Sequence, residues 1–370
     1  MKKKHIISIC LVIFLMQNIL SFKANAQPKN IYVDARSAIA IDSKSKCVLY
    51  EKNSDMLIPI ASTTKIVTTL VALKYGDLDR KVEISDRAAN IHGSQAGYKK
   101  GEIVSLRELL YGLMLRSGND AAIAIAEGMC GSVDEFLKLM NEYAVQIGVL
   151  NSHFESPHGL DSQNHYSTAY DLAIITAKAK ENELFNKIVS VKDVDAKEYG
   201  FTKSYHNINK ILYQIPNANG VKTGYTGGAG KCLVTSVENG EDDIIVVVLN
   251  CSNRWNETKK IYDHVKKNYN FKKVVSKDET IDTIYYGKNK KVNLVCNEDV
   301  IIPVGNDETY ELKVVKPKIV PSKLVKGSNL GKVCIYKNNN LVVSKPLNNK
   351  EEISQGKYKN IKDIIKKIRS

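Results

Sequence analysis

Three short groups of residues stand in one order along the chain: Ser62-Thr63-Thr64-Lys65, Ser117-Gly118-Asn119 and Lys222-Thr223-Gly224. A serine hydroxyl becomes a useful nucleophile when a base stands beside it. A lysine is such a base once burial or a neighbouring cation depresses its pKa. The second group adds a hydroxyl and an amide; the third adds a cation, a hydroxyl and a glycine. Together they supply a nucleophile, a base, a polar shuttle and a cationic docking strand, which is the equipment for acyl transfer through a serine.

Ser-x-x-Lys alone is a weak signal, because the chain holds it at Ser43 with Lys46, at Ser62 with Lys65 and at Ser354 with Lys357. Only Ser62 heads a run, Ile66 to Leu73, that is apolar around much of its circumference and stops at Gly76. That pattern predicts a buried helix with Ser62 at its N-terminus. The spacing puts Lys65 on the same face a turn later, and the helix dipole favours negative charge at the serine. Lys222 is the candidate for the second cation. Without the other two groups, Ser62 reads as a helix cap.

Ser117-Gly118-Asn119 falls between two predicted helices, where it also reads as ordinary turn chemistry with Asn119 as an N-cap. In the catalytic reading Ser117 relays a proton toward the leaving group. Asn119 then either donates a hydrogen bond to the substrate amide or organises Lys65. Lys222-Thr223-Gly224 lies in a strand-like run before the turn Gly227-Gly228. On an exposed edge its cation and hydroxyl can dock a terminal carboxylate, and Gly224 lets a substrate backbone approach. A bland reading of the same run is a solvated edge strand guarded by a lysine.

The elements that must position these groups are legible from pattern. Ile31 to Val33, Ala38 to Ile41 and Cys47 to Tyr50 read as strands, the last two as a hairpin around Asp42-Ser43-Lys44-Ser45. Ser105 caps a helix carrying Leu109, Leu110, Leu113 and Met114, followed by helices over Asp120 to Met129, Val133 to Ile147 and Thr168 to Lys180. Gly220 to Tyr225, Lys231 to Val237 and Ile244 to Asn250 read as antiparallel strands, closed by a helix over Glu257 to Tyr269. The layout is an α/β fold of the α+β kind, an antiparallel sheet with a helical cluster inserted between its early and late strands. Beyond a boundary near residue 272, six strand-like runs between Ile281 and Ser344 predict a second, small all-β domain.

The chain's ends speak to location. Lys2, Lys3 and Lys4, the apolar run Ile6 to Met16 and Ala24-Asn25-Ala26 form a secretory signal over residues 1–26. Its apolar run, broken by Gln17 and Asn18, is too short to span a bilayer, and no other stretch is long enough. Cleavage before Gln27 leaves 344 of 370 residues and, with four leader lysines gone, a net charge of +10 rather than +14. The catalytic domain then covers 27–271, the β-rich domain 272–356, and a basic tail 357–370. In that tail Ile361, Ile364, Ile365 and Ile368 follow helical spacing among six basic residues. It reads either as a basic amphipathic helix on an anionic membrane surface or as a terminal helix packed on the β domain. Six cysteines of the mature chain, without any Cys-x-x-Cys pair, make neither a zinc site nor a disulfide scaffold.

The fuller runs Pro59-Ile-Ala-Ser-Thr-Thr-Lys65, Leu115-Arg-Ser-Gly-Asn-Asp120, Ser156-Pro-His-Gly-Leu-Asp161, His165-Tyr-Ser-Thr-Ala-Tyr-Asp171 and Gly220-Val-Lys-Thr-Gly-Tyr225 carry a resemblance. Over roughly residues 30 to 270 the chain resembles the exported D-alanyl-D-alanine carboxypeptidases, the low-molecular-mass penicillin-binding proteins, whose Ser-x-x-Lys and Lys-Thr-Gly motifs are shared with β-lactamases. The resemblance implies the penicillin-binding/β-lactamase-like transpeptidase fold. It also implies Ser62 as acylated nucleophile, Lys65 as general base, Ser117 and Asn119 as relay and positioning groups, and Lys222 with Thr223 as carboxylate binders. Backbone N–H groups of Ser62 and Tyr225 would form the oxyanion hole. Arg254 takes about the place of a second carboxylate-binding arginine.

The implied substrate is a peptidoglycan pentapeptide ending in D-Ala-D-Ala, with β-lactam antibiotics acylating the same serine, and no cofactor, metal or nucleic acid is involved. His158 and His165, with Asp161 and Asp171 nearby, lack any His-Glu-x-x-His spacing and are expected to support the loop beside the cleft. A class A β-lactamase wants Glu-x-x-x-Asn in that loop, whereas Glu155 is followed four residues later by Gly159. The same motifs would also suit a DD-transpeptidase, or a non-catalytic penicillin-sensing or wall-binding protein.

Overall fold

The computed structural model describes residues 31–286, 290–306, 308–318, 323–337 and 339–354. The signal and the basic tail expected from the sequence lie outside the described residues. Five strands, β1 (Ser37–Asp42), β2 (Val48–Lys52), β3 (Ala218–Thr226), β4 (Gly230–Asn239) and β5 (Asp242–Leu249), form one antiparallel sheet in the order β2-β1-β5-β4-β3. The first strand of the described residues therefore completes a sheet whose centre is built from the late strands, with Ser37 opposite Leu249 and Asp42 opposite Ile244. Ile31 to Val33, expected as a strand, carries none.

Helices α1 (Lys65–Tyr75), α2 (Leu106–Leu115), α3 (Asn119–Cys130), α4 (Val133–Gln146), α5 (Ala169–Lys180) and α6 (Glu183–Ser190) fill the insertion, and α7 (Arg254–Asn268) follows the sheet. The sheet centre is packed by α5 and α7, which is why every residue of β1 is buried and β5 reads as a continuous branched run. α1 is central to the cluster. Ile66, Val67, Val71 and Ala72 are fully enclosed, each larger side chain contributing roughly 1.5–3 kcal/mol by leaving water. It stops at Gly76, whose N–H bonds back to the Ala72 carbonyl and whose missing side chain admits Leu106.

Side chains of Ser105, Ser132, Thr168 and Asn182 cap the starts of α2, α4, α5 and α6 by accepting N–H groups three residues on. The sequence pattern misses α6. Its eight residues bury only Phe185, Ile188 and Val189, too short a stripe to establish a period. The closing helix begins earlier than expected, at Arg254, and stops at Asn268, because Tyr269 opens a strand.

That strand, β6 (Tyr269–Val275), spans residue 272 and pairs with β9 (Val300–Gly305). β7 (Thr280–Tyr286), β8 (Lys290–Val295), β10 (Tyr310–Val315), β11 (Asn329–Lys337) and β12 (Asn340–Asn349) form a second antiparallel sheet in the order β7-β8-β12-β11-β10. Ile284, Val292, Leu294, Ile302, Val333 and Leu347 form its core. The body is thus a mixed helix and antiparallel-sheet domain followed by an all-β domain. All six cysteines of the described residues are free thiols, and no helix among these residues is long and apolar enough to cross a membrane.

Candidate active site

Ser62 sits in a single 3-10 turn, Ala61–Thr64, that runs directly into α1. Lys65, the first residue of that helix, is fully buried and donates from Nζ to Ser62 Oγ at 2.9 Å, to Asn119 Oδ1 at 2.8 Å and to the His158 carbonyl at 2.8 Å. Burial first, and then the Lys222 ammonium, hold the Lys65 pKa well below the ordinary lysine value, while Asp120 pulls the other way. Deprotonated, this amine keeps two N–H groups for Asn119 and His158 and turns its lone pair to the Ser62 proton. The pair of Ser43 with Lys46 has no such geometry, and Lys357 of the third pair lies outside the described residues. Lys46 Nζ bonds the Ser43 carbonyl rather than its hydroxyl, and that hydroxyl goes to the Asp242 carboxylate.

Ser117 is buried at the end of α2 in the left-handed region, with φ of 59°, and is not one of the three partners of Lys65 Nζ. Asn119 starts α3. Its backbone N–H reaches the Ser94 carbonyl at 2.7 Å, its Oδ1 takes Lys65, and its Nδ2 donates to the His92 carbonyl at 2.7 Å. Of its two anticipated roles, organising Lys65 is therefore the one its oxygen performs. Asp120 next door is a fully buried carboxylate that accepts the N–H groups of Ala96, Gly97 and Tyr98 and so fixes the segment facing Asn119. Sequence alone gives Asp120 no role, since an acid in a first helical turn looks like dipole compensation.

The Lys222 strand is the sheet edge, as expected, but it is not solvated. Gly220 through Gly224 are buried against the 3-10 turn and α6. Lys222 Nζ donates to the Thr223 carbonyl at 2.8 Å, and burial, with the Arg254 guanidinium nearby, brings its pKa down to about 7. Gly224 makes room for the chain itself: a Cβ there would stand 3.1 Å from Ala61 Cβ, the Ile60 carbonyl oxygen and the Ser62 nitrogen. Tyr225 follows at the rim, 67% exposed. Arg254 lies beneath, donating from Nη1 to the carbonyls of Gly224 at 2.7 Å and Cys232 at 3.0 Å, with Trp255 against its guanidinium. It ties the edge strand to β4.

A loop from Glu155 to Ser167 straps the Ser62 turn. Thr68 Oγ1 donates to the Pro157 carbonyl at 2.6 Å, Lys65 to that of His158, and His165 Nε2 stands 2.7 Å from Thr64 Oγ1. Asp161 takes Thr226 Oγ1 at 2.6 Å and the Gly228 N–H at 2.9 Å, joining the loop to the far end of the edge strand. Burial lowers the pKa of His158 to about 3 and of His165 to about 4, so both imidazoles are neutral. Among the described residues no three His, Cys, Asp or Glu side chains are grouped to hold a metal. Spacing presents the histidines only as loop supports; that one of them is two hydrogen bonds from the serine's own peptide is invisible there.

The chain matches the family model described as D-alanyl-D-alanine carboxypeptidase over residues 22–253, and that of the penicillin-binding protein 5 C-terminal domain over residues 269–355. It is 32% identical to D-alanyl-D-alanine carboxypeptidase DacF of Bacillus subtilis, covering 88% of this chain and 87% of that protein. With DacC of Escherichia coli the identity is 31%, covering 88% and 86%. The crystal structure of penicillin-binding protein 5 from Haemophilus influenzae superposes with a TM-score of 0.74 at 30% identity, covering 88% of this chain and 99% of that one.

Proposed function

Because the chain belongs to the D-alanyl-D-alanine carboxypeptidase family and is a serine-type D-Ala-D-Ala carboxypeptidase, we propose that Ser62 carries its chemistry and that Lys65 is the base. Ser62 Oγ attacks the carbonyl of the penultimate D-alanine of a peptidoglycan stem peptide, and its proton passes to Lys65. The tetrahedral oxyanion is held by the N–H groups of Ser62 and Tyr225. On collapse the amide bond breaks, the proton returns through Ser117 to the leaving amine, and D-alanine departs. Water then hydrolyses the ester on Ser62. Penicillins acylate the same hydroxyl.

The observation that carries this reading is the buried Lys65 amine, 2.9 Å from Ser62 Oγ and fixed by Asn119 and the His158 carbonyl. Lys222 and Thr223 receive the terminal carboxylate, whose charge the buried ammonium of Lys222 would pair. Arg254 supports that role by holding the strand. Ser62→Ala tests the assignment directly, through covalent penicillin labelling and D-alanine release.

The enzyme works outside the cytoplasm, after removal of residues 1–26. Its catalytic domain spans 27–271 and its β-rich domain 272–356. The tail 357–370 rests on the anionic outer face of the membrane, a reading supported by its isoleucine spacing and six basic residues.

A further inference from the structure

The peptide unit between Ala61 and Ser62 is held in an unusual conformation. Ala61 adopts a left-handed φ of 51°, which an alanine takes only when its surroundings impose it. The carbonyl oxygen of this trans peptide and its N–H point in opposite directions. Whatever fixes the Ala61 oxygen therefore aims the Ser62 N–H.

Beside the Thr64 backbone N–H that the 3-10 turn directs at it, the oxygen is held by a one-way chain of side-chain hydrogen bonds. Thr64 Oγ1 lies 2.9 Å from the Ala61 carbonyl oxygen and 2.7 Å from His165 Nε2. A hydroxyl has one proton, and the carbonyl can only accept, so the Thr64 proton goes to Ala61 and the imidazole must donate. The far ring nitrogen agrees: His165 Nδ1 accepts the Glu155 backbone N–H at 3.0 Å, which leaves the ring proton on Nε2. The order is thus Glu155 N–H to His165 Nδ1, His165 Nε2–H to Thr64 Oγ1, Thr64 Oγ1–H to Ala61 O. Thr64 is fully buried, His165 nearly so with Phe154 edge-on to its ring, and no second donor for the Thr64 oxygen is present among the described residues. The other charged or titratable groups around this imidazole are Glu155, His153, Asp161, Lys65 and His158.

We propose that His165 is a positioning residue for acylation, acting through Thr64 to hold the Ala61–Ser62 peptide so that the Ser62 N–H points into the oxyanion hole. The proposal rests on the reading that Ser62 is the acylated residue. An oxyanion donor acts on the transition state rather than on the bound ground state. Its misalignment lowers the acylation rate constant and leaves the dissociation constant of the encounter complex nearly unchanged.

The test uses the full mature chain and a fluorescent penicillin, with rate constant and dissociation constant resolved by stopped-flow. Thr64→Val keeps shape and loses the hydroxyl; His165→Phe keeps a ring and loses the donor. Each should slow acylation about tenfold or more, below the 10²–10³ that outright loss of such a donor costs. Thr64→Ser and His165→Gln restore a hydroxyl and an N–H donor at the same places and should recover most of the rate. Melting temperatures are measured for all four. A folded Thr64→Val that acylates at the wild-type rate overturns the proposal, as does a rate loss that follows melting temperature across all four variants. Peptide mapping of the wild-type adduct separates the two ideas: an adduct elsewhere than Ser62 defeats the underlying reading, whereas an adduct on Ser62 with no Thr64→Val effect defeats only the role of His165.

Discussion

Gly159 and Gly224 close on opposite ends of one peptide unit, that joining Ala61 to Ser62. A Cβ on Gly159 would collide with the Ala61 carbonyl oxygen, and one on Gly224 would stand 3.1 Å from the Ser62 nitrogen. The two glycines come from different elements, the strap loop and the edge strand, so the Ser62 turn is gripped between parts of the chain that are remote in sequence. Lys65 and Thr68 of α1 hold the strap in place from below.

Gly224→Ala should therefore slow acylation out of proportion to its effect on stability. Its φ is not left-handed, so alanine meets only a packing obstacle, typically about 1–3 kcal/mol for an overpacked site. Gly159 has φ of 86°, and alanine there adds about 1–2 kcal/mol of backbone strain to the collision. Thermal melts should rank Gly159→Ala as the less stable. Penicillin labelling of a folded Gly224→Ala at the wild-type rate would show that the grip is not needed.

Ser62→Ala should abolish both penicillin labelling and D-alanine release. Ser43→Ala should leave both intact, because Lys46 bonds the Ser43 carbonyl while the Ser43 hydroxyl donates to the Asp242 carboxylate. It should still cost stability, about 1.5–3 kcal/mol, by removing a buried hydrogen bond to the Asp242 carboxylate. Persistent labelling of Ser62→Ala would move the nucleophile elsewhere.

How much of the fold and site is legible in sequence depends on the range of the interaction. The pairing of Ser62 with Lys65 is local, set by helical spacing and an apolar surround, and the sequence anticipates it. So are the cap at Ser105 and the short branched apolar runs that become β3 to β5. The burial of Lys222 is not, because a strand that is an edge by topology can still be covered by a turn from the other side of the fold. Sequence leaves the role of Asn119 open, and its bonds to Lys65 and the His92 carbonyl, which favour the organising role, cross the fold. His165 can be named there as a loop support only, since its tie to Thr64 crosses 101 positions. Gly224 suggests substrate clearance for the same reason; its nearest neighbours are the chain's own backbone, which only the fold brings to it.

Truncation after Gly356 should release the protein from anionic vesicles at low salt while leaving activity on a soluble peptide unchanged. The attraction proposed for the tail rests mostly on its six basic residues, so binding of the mature chain should fall as salt shortens the Debye length to below about 10 Å. Failure of the untruncated mature chain to co-sediment with such vesicles at low salt contradicts the anchoring role.

Lys222 should make substrate docking depend on pH in the sense opposite to Lys65. Desolvation, with Arg254 nearby, has brought the Lys222 pKa down to about 7. A terminal carboxylate favours its charged form, so binding of a free-acid peptide should be tightest below about pH 7 and weaken above it. Lys65, depressed by burial and by Lys222, is the proposed base, and protonating it should impose an acid limb on acylation. KM for a peptide with a free terminal carboxylate should rise through about pH 7 to 9, while an amidated peptide shows no such rise. Lys222→Ala should cost about 1.5–3 kcal/mol more on the free-acid peptide than on the amidated one, since any effect passed through Lys65 is common to both. The same shift bears on stability. An unfolded lysine titrates near 10.4, so between about pH 7 and 10 the unfolded state binds more protons than the folded one, and this group makes stability rise with pH there. Replacing Lys222 should flatten that rise in a melting series, and equal losses on the free-acid and amidated peptides would remove the carboxylate from its role.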